Sequence, residues 1–264
     1  MKTVKDLMTT LEIIAPSRGM EEWDNGGLLL GSPHWPLGRV GVALDPSEEI
    51  VRAAVCRKCS AVVTHHPMTL TGWKALSLET PEGRLVSRAL GESVALVAAH
   101  TNWDRAEEGV NVALGKALPL SGMHPLCPSR EEGLWGDGGW GDLVTPLPVR
   151  EMAQNVGRLW GLSWGHLFSP DPSLVVSRLA WVGGSGGSFW RRAREKGATL
   201  FCTADMKYHE RRDAMAAGLA LLVVDHGEME SFSLGSLARL IQSHLDQEVE
   251  ILAEPPSSGS ILLF

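Results

Sequence analysis

The residues best suited to chemistry are two adjacent histidines, His65 and His66, which end the run Ala-Val-Val-Thr-His-His-Pro. A short apolar run closed by proline reads as a buried strand. Side chains alternate across a strand, so two neighbouring imidazoles at its end point in different directions. One ion would collect both with difficulty, whereas two ions, one on each side of the backbone, can take one each. The pair therefore suggests a dinuclear metal centre. The plain alternative is a polar strand end that meets solvent.

Other reactive residues share this placement. His100 and Asp104 follow the run ALVAA, in HTNWD. Asp205, Lys207 and His209 follow LFCT, in TADMKYHE, and Asp225, His226, Glu228 and Glu230 follow LALLVV, in DHGEME. Ligand sites in parallel α/β sheets gather at the carboxyl ends of strands. Four such clusters weigh towards metal binding at His65 and His66.

The elements that must position these groups form two similar series. In the first, strand-like VGVALD (40–45) leads to the helical segment PSEEIVRAAVCRKC and strand AVVTHH, then a helix around 80–92 and strand VALVAAH. In the second, RLAWVGG leads to helix SFWRRAREKG and strand ATLFCT, then a helix around 208–218 and strand LALLVVD. Strands alternating with helices predict largely parallel β-α-β units and an α/β fold. The segment EEGLWGDGGWGDL, followed by a helix over 149–162, interrupts this rhythm and reads as the start of an inserted lobe. The expected division is a metal-site lobe of 1–126 plus 206–264 and a second lobe of 127–205. A helix near the N-terminus carries Val4, Leu7, Met8 and Leu11 on one face, with Thr3 and Asp6 as a capping pair. Near the C-terminus a helix places Leu234, Leu237, Ile241 and Leu245 together, and strands EVEILAE and SILLF follow.

Composition sets outer limits. A formal net charge of −7 argues against non-specific nucleic-acid binding, which needs Lys and Arg to neutralise phosphates. No apolar stretch approaches the roughly 20 residues that span a bilayer, and Asp6 and Glu12 interrupt any signal-peptide core. The expectation is a soluble cytoplasmic protein. Four cysteines do not make a disulfide framework at this length, and no second pair follows Cys56 and Cys59 at zinc-ribbon spacing. Ten tryptophans against one tyrosine read as core and interface packing.

Taken in order, these blocks resemble the Nif-three-like, or YbgI-like, family, many members of which carry the name GTP cyclohydrolase 1 type 2 homologue. The matching blocks are EEWDNGGLLLG (21–31), VALDPSEE (42–49), THHP (64–67), HTNWD (100–104), GVNVALGKAL, GGSGG (183–187), TADMKYHE and DHGEMES. The resemblance implies two interlinked α/β lobes in the Nif-three-like fold. It implies a homo-oligomeric ring, a hexamer built from dimers, with up to two divalent ions per chain facing an internal cavity. Zn, Fe, Mn, Co and Ni all suit such an imidazole and carboxylate site.

The family's ligands are the two histidines of its HHP motif, the aspartate of HTNxD, and a His and Glu from a late DxGHxxTE motif. The first three carry over to His65, His66 and Asp104. The late motif fits in two registers. Matching Asp225, Gly227 and Ser231 puts Glu228 where the family has His and Phe232 where it has its bridging Glu. A two-residue shift makes His226 and Glu230 the ligands with H-x-x-x-E spacing, which shares one helix face. The three matching residues favour the first register.

The leading expectation is a metal-dependent hydrolase acting on an anionic, nucleotide-like small molecule. Two ions roughly 3.5–4 Å apart can activate water and stabilise an oxyanion. Asp104 and Glu228 are the candidate catalytic carboxylates. His65, His66, Asp104, Glu228, His226 and Glu230 are the candidate metal ligands, and Asp205, Lys207 and His209 the candidate substrate-binding residues. The alternatives are a non-enzymatic metal carrier or metal-responsive regulator, and a scaffold oligomer. Asp24 and Asn25 read as turn residues before Gly26 and Gly27, and GGSGG as tight packing of a crossover.

Overall fold

Residues 1–253 are described by a computed structural model, so the expected SILLF strand lies outside the described residues. The described chain divides into two units. The first comprises Met1–Ile13, Glu22–His100 and the chain from Ala238 on, and the second comprises Ile14–Glu21 and Thr101–Leu237.

The first unit is built on strands β1 (Gly27–Leu30), β2 (Arg39–Ala43), β3 (Cys59–Thr64), β4 (Ala95–Ala98) and β13 (Val249–Ile251), in the order β1-β4-β3-β2-β13. β13, β2, β3 and β4 run parallel, and β1 is antiparallel on β4. Helix α1 (Val4–Ile14) starts where the Asp6 carboxylate accepts from the Thr3 N–H at 2.7 Å and from its hydroxyl at 2.9 Å. Helix α2 (Glu48–Cys56) crosses from β2 to β3 and α3 (Pro81–Gly91) from β3 to β4. Ser47 caps α2 by accepting from the Ile50 N–H at 3.1 Å, which contributes about 1 kcal/mol. Thr80 and Pro81 open α3 in the same way. Both helices bury Ile50, Val51, Leu85 and Ala89 against Val62 and Leu96 of the sheet. Cys59, at the start of β3, is part of this core, and burial raises its thiol pKa.

The second unit follows with helices α4 (Thr101–Asp104) and α5 (Val110–Lys116), then strands β5 (Leu120–His124), β6 (Cys127–Pro128), β7 (Gly136–Asp137) and β8 (Gly139–Pro148). Helix α6 (Val149–Trp160), strands β9 (Gly165–Phe168) and β10 (Val175–Trp181), helix α7 (Trp190–Glu195) and β11 (Leu200–Thr203) come next. Helix α8 (Tyr208–Ala216), β12 (Ala220–Val224) and helix α9 (His226–Ser231) complete the series, and helix α10 (Leu234–Leu245) begins here and continues past the unit's end at Leu237. The sheet order is β5-β8-β10-β11-β12-β9. Its centre, β10-β11-β12, is parallel as predicted, with α7 and α8 as crossovers.

Two features depart from the sequence reading. The Gly- and Trp-rich segment forms β7 and the ten-residue β8, which pairs antiparallel with β10, so this sheet is mixed rather than parallel throughout. Its glycines hid the strand. A Cβ at Gly139 would strike the Trp181 ring, and Gly136 takes a φ of 106° beside the Cys127 carbonyl. The second unit is also drawn differently from the expected 127–205, as Ile14–Glu21 with Thr101–Leu237, and β12 pairs with β11 in its sheet. Trp103, Trp160 and Trp181 are fully buried, and each indole N–H donates, to the Ser233 hydroxyl and to the Leu114 and Asn111 carbonyls. That matches the packing role expected for tryptophan.

Candidate metal centre

In the first unit three histidines meet at the carboxyl ends of β3 and β4. The ladder to β2 continues past the strand, with the His65 and His66 N–H groups donating to the Ala43 and Leu44 carbonyls at 3.1 and 2.9 Å. The chain bends at this point, and the two rings converge instead of diverging. Their centroids lie 5.0 Å apart, and those of His65 and His66 lie 5.2 and 5.6 Å from that of His100. One nitrogen from each ring falls within 4.8 Å of the others. Strict alternation therefore does not extend to residues beyond the last ladder pair.

Each ring is fixed through Nδ1. His65 faces the Ala99 carbonyl at 3.1 Å, His66 the Asp45 carboxylate at 2.7 Å, and His100 the Asp24 carboxylate at 2.7 Å. A carboxylate or carbonyl on one ring nitrogen sets the tautomer and aims the other nitrogen, as in metal-ligating histidines generally. The Asp24 side chain is fully buried. It also accepts from the Asn25 N–H at 2.7 Å, so the expected turn and the contact to His100 coexist.

The second unit holds a more acidic set. Asp104 ends α4, and Asn111 fixes that turn by donating to the Asp104 carbonyl at 3.1 Å. The Asn111 side-chain oxygen accepts from the Gly183 N–H at 2.9 Å, which ties α4 to the glycine-rich loop after β10. Asp225 caps α9 by accepting from the Glu228 N–H, so His226 and Glu230 lie one turn apart on one face. His226 Nε2 lies 3.0 Å from Glu230 Oε1, and Glu230 is almost fully buried. Carboxylate oxygens of Asp104 and Glu230 lie within 4.8 Å of each other, so Glu230 stands between Asp104 and His226.

His226 Nδ1 meets Asp205 Oδ2 at 2.5 Å, and Ser185 donates to the same carboxylate at 2.9 Å. Hydrogen bonding to Glu230, then to Asp205, raises the His226 pKa to about 9 against the effect of burial. The His226 hydrogen bond in turn holds Asp205 below the usual carboxylate range.

Gly184 explains the GGSGG motif. Its φ is 65°, and a Cβ there would fall on the Glu230 carboxylate and crowd the His226 ring. The backbone approaches the donor pair as closely as only glycine allows. Buried Ala204 donates its N–H to the Gly184 carbonyl and braces the same loop.

Several sequence candidates lie elsewhere. Glu228 turns both carboxylate oxygens to Ser163, accepting from its N–H at 2.7 Å and its hydroxyl at 2.5 Å. One residue pair on a short helix cannot share a face with the pair two residues away, so α9 presents His226 and Glu230 together and Glu228 apart. Asp205 orients His226. Lys207 and His209 are exposed at the start of α8, where the Lys207 N–H donates to Glu210 at 3.0 Å. Sequence reasoning missed the contacts of Asp24, Asp45 and Gly184, and it did not bring His100 to His65 and His66. Asp45 was within reach, because the parallel register pairs Ala43 with Thr64 and so sets Asp45 beside His66.

The donor types fit a divalent ion: oriented imidazoles in one unit, and two carboxylates with an oriented imidazole in the other. Among the described residues no helix is long and apolar enough to cross a membrane.

The Duf34/NIF3 (NGG1p interacting factor 3) family model matches residues 2–256. A Streptomyces coelicolor protein named "GTP cyclohydrolase 1 type 2 homolog" is 37% identical over 234 residues, covering 87% of this chain and 82% of the relative. "Protein NIF3 homolog" of Schizosaccharomyces pombe is 28% identical, covering 85% and 83%. The crystal structure of a Bacillus cereus protein related to NIF3 superposes with a TM-score of 0.92 at 19% identity, covering 98% of this chain and 99% of the other. Motif order, fold and family match agree, and the chain belongs to the NIF3 family.

Proposed function

We propose that this protein is a divalent-metal protein in which His65, His66, Asp104, His226 and Glu230 would hold the metal, and that it hydrolyses an anionic, nucleotide-like small molecule. The observation that carries the reading is that four histidines at strand ends are each fixed through Nδ1, three of them by an aspartate. Such fixing is costly to maintain on an exposed surface and is typical of rings that bind metal. The resemblance to proteins named GTP cyclohydrolase 1 type 2 homolog supports the substrate class, and a ring-shaped hexamer is part of the same proposal.

Bound ions supply Lewis acidity and a water activated near neutral pH. The protein's own residues supply the rest. Asp45, Asp24 and Asp205 hold the imidazoles in one tautomer. Glu230 and Asp104 supply the negative charge that neutralises cations, and Gly184 keeps the space beside Glu230 open. Lys207 and His209, exposed near Asp205, would meet an anionic part of the substrate.

The test is elemental mass spectrometry of the purified protein, followed by assay of the metal-loaded form against nucleotides and phosphoesters. The reading expects close to two ions per chain and metal-dependent turnover, both lost in Asp104→Ala. Metal lost in Asp104→Ala without any turnover in the loaded wild type would leave a carrier or regulator. No metal uptake at all would overturn the reading.

A further inference from the structure

A groove in the second unit, apart from the metal donors, has the make-up of a ligand site. It encloses about 480 Å³ between α6 and the β9–β12 edge of the sheet. That lies within the ~300–1,000 Å³ usual for small-molecule pockets. Leu167 pairs with Leu222 across the two strands, and Val224 shares their face, so the floor is apolar. Trp164 forms a wall and is 44% exposed.

The opposite wall is one face of α6. Arg150 and Arg158 are eight residues apart, about 12 Å along the helix axis, with Gln154 between them. Among the described residues neither arginine has a carboxylate partner. Arg158 donates to the Asn155 side chain at 3.0 Å. Among the described residues no acidic side chain lines the groove, although the chain carries a net charge of −7. Gly157 lines it as well, and a Cβ there would meet nothing within 4 Å.

The aromatic wall is held in place. Both carboxylate oxygens of Glu228 grip Ser163, the residue before Trp164. This gives Glu228 a role that the metal reading does not use.

We infer that this groove binds a small amphipathic organic anion: a flat apolar body against Trp164, Leu167 and Leu222, with its phosphate, carboxylate or sulfonate between Arg150 and Arg158. The complementarity is that of an apolar pocket with two cations and no counter-charge. The inference is independent of the metal reading.

The probe is 1-naphthalenesulfonate, a weak ligand for metal ions, titrated into the full-length protein by calorimetry and by tryptophan fluorescence. Uncharged 1-naphthalenemethanol is the control. The sulfonate is expected to bind at least about tenfold more tightly than the alcohol, the size of one charge-assisted contact. Arg150→Gln with Arg158→Gln should remove that preference, and Trp164→Phe the fluorescence change. Gly157→Leu fills the groove with a better helix former, so it should abolish binding in a folded protein. Equal affinity for the two probes, or full binding by Gly157→Leu, overturns the inference. So does an absence of binding together with a changed oligomeric state in Gly157→Leu, which would make this face an interface between copies.

Discussion

The two units place histidines by the same rule and surround them differently. In the first, Asp45 lies two residues past the end of β2 and His66 two residues past the end of β3. In the second, Asp205 lies two residues past β11 and His226 two residues past β12. In both, neighbouring parallel strands deliver the aspartate to the imidazole Nδ1, at 2.7 and 2.5 Å. His100 follows the same count past β4, with Asp24 as its partner. The difference is in what the rings face. The first unit offers imidazoles alone, whereas the second sets His226 against buried Glu230 and adds Asp104. Glu230 and Asp205 raise the His226 pKa in the second unit, and in the proposed function Glu230 and Asp104 would neutralise the cation.

The comparison can be broken most forcefully at Glu230. Glu230→Gln should lower metal affinity by more than about 100-fold, beyond the 10–100-fold typical of an outer partner. It should also destabilise the metal-free protein by about 2–3 kcal/mol on a denaturant curve. That is less than a fully buried pair would cost, because the His226 side chain is 32% exposed. Gly184→Ala comes next. It forces a side chain into a positive-φ position against Glu230, and should cost about 1–3 kcal/mol along with metal binding while circular dichroism stays unchanged.

Asp45→Asn and Asp205→Asn test the shared rule itself. Each should weaken metal binding by about 10–100-fold, measured by competition with a chromogenic chelator. A loss at only one of them would show that the two units are not equivalent.

Protonation gives a smaller effect with a defined sign. The His226 pKa is raised from 6.5 to about 9, so its contribution to stability is complete below pH 6.5 and is lost as pH rises through 9. The metal-free wild type should lose stability across that window, and His226→Gln should not. Metal affinity should rise over the same interval as the proton leaves.

Much of this arrangement was legible in the chain. The crossover helices and the parallel strands that carry His65, His66, Asp205 and His226 followed from apolar runs alternating with helical segments. The antiparallel β8 was not legible, because its glycines answer to Trp181 in a distant strand. The register of the late motif likewise depends on structure. Asp225, Gly227 and Ser231 matched a family pattern, but helix geometry selects residues four apart, and the Asp225 cap fixes where that helix begins. Asp24 was read as a turn residue because its local bond to Asn25 is visible in sequence, whereas its bond to His100 spans 76 positions.

The most direct test of the account compares two carboxylates on one helix. Metal content per chain should be measured by elemental mass spectrometry for the wild type, Glu230→Gln and Glu228→Gln, each purified and loaded identically. The account predicts that Glu230→Gln loses the metal while Glu228→Gln keeps the wild-type amount. Metal retained by Glu230→Gln and lost from Glu228→Gln would contradict it.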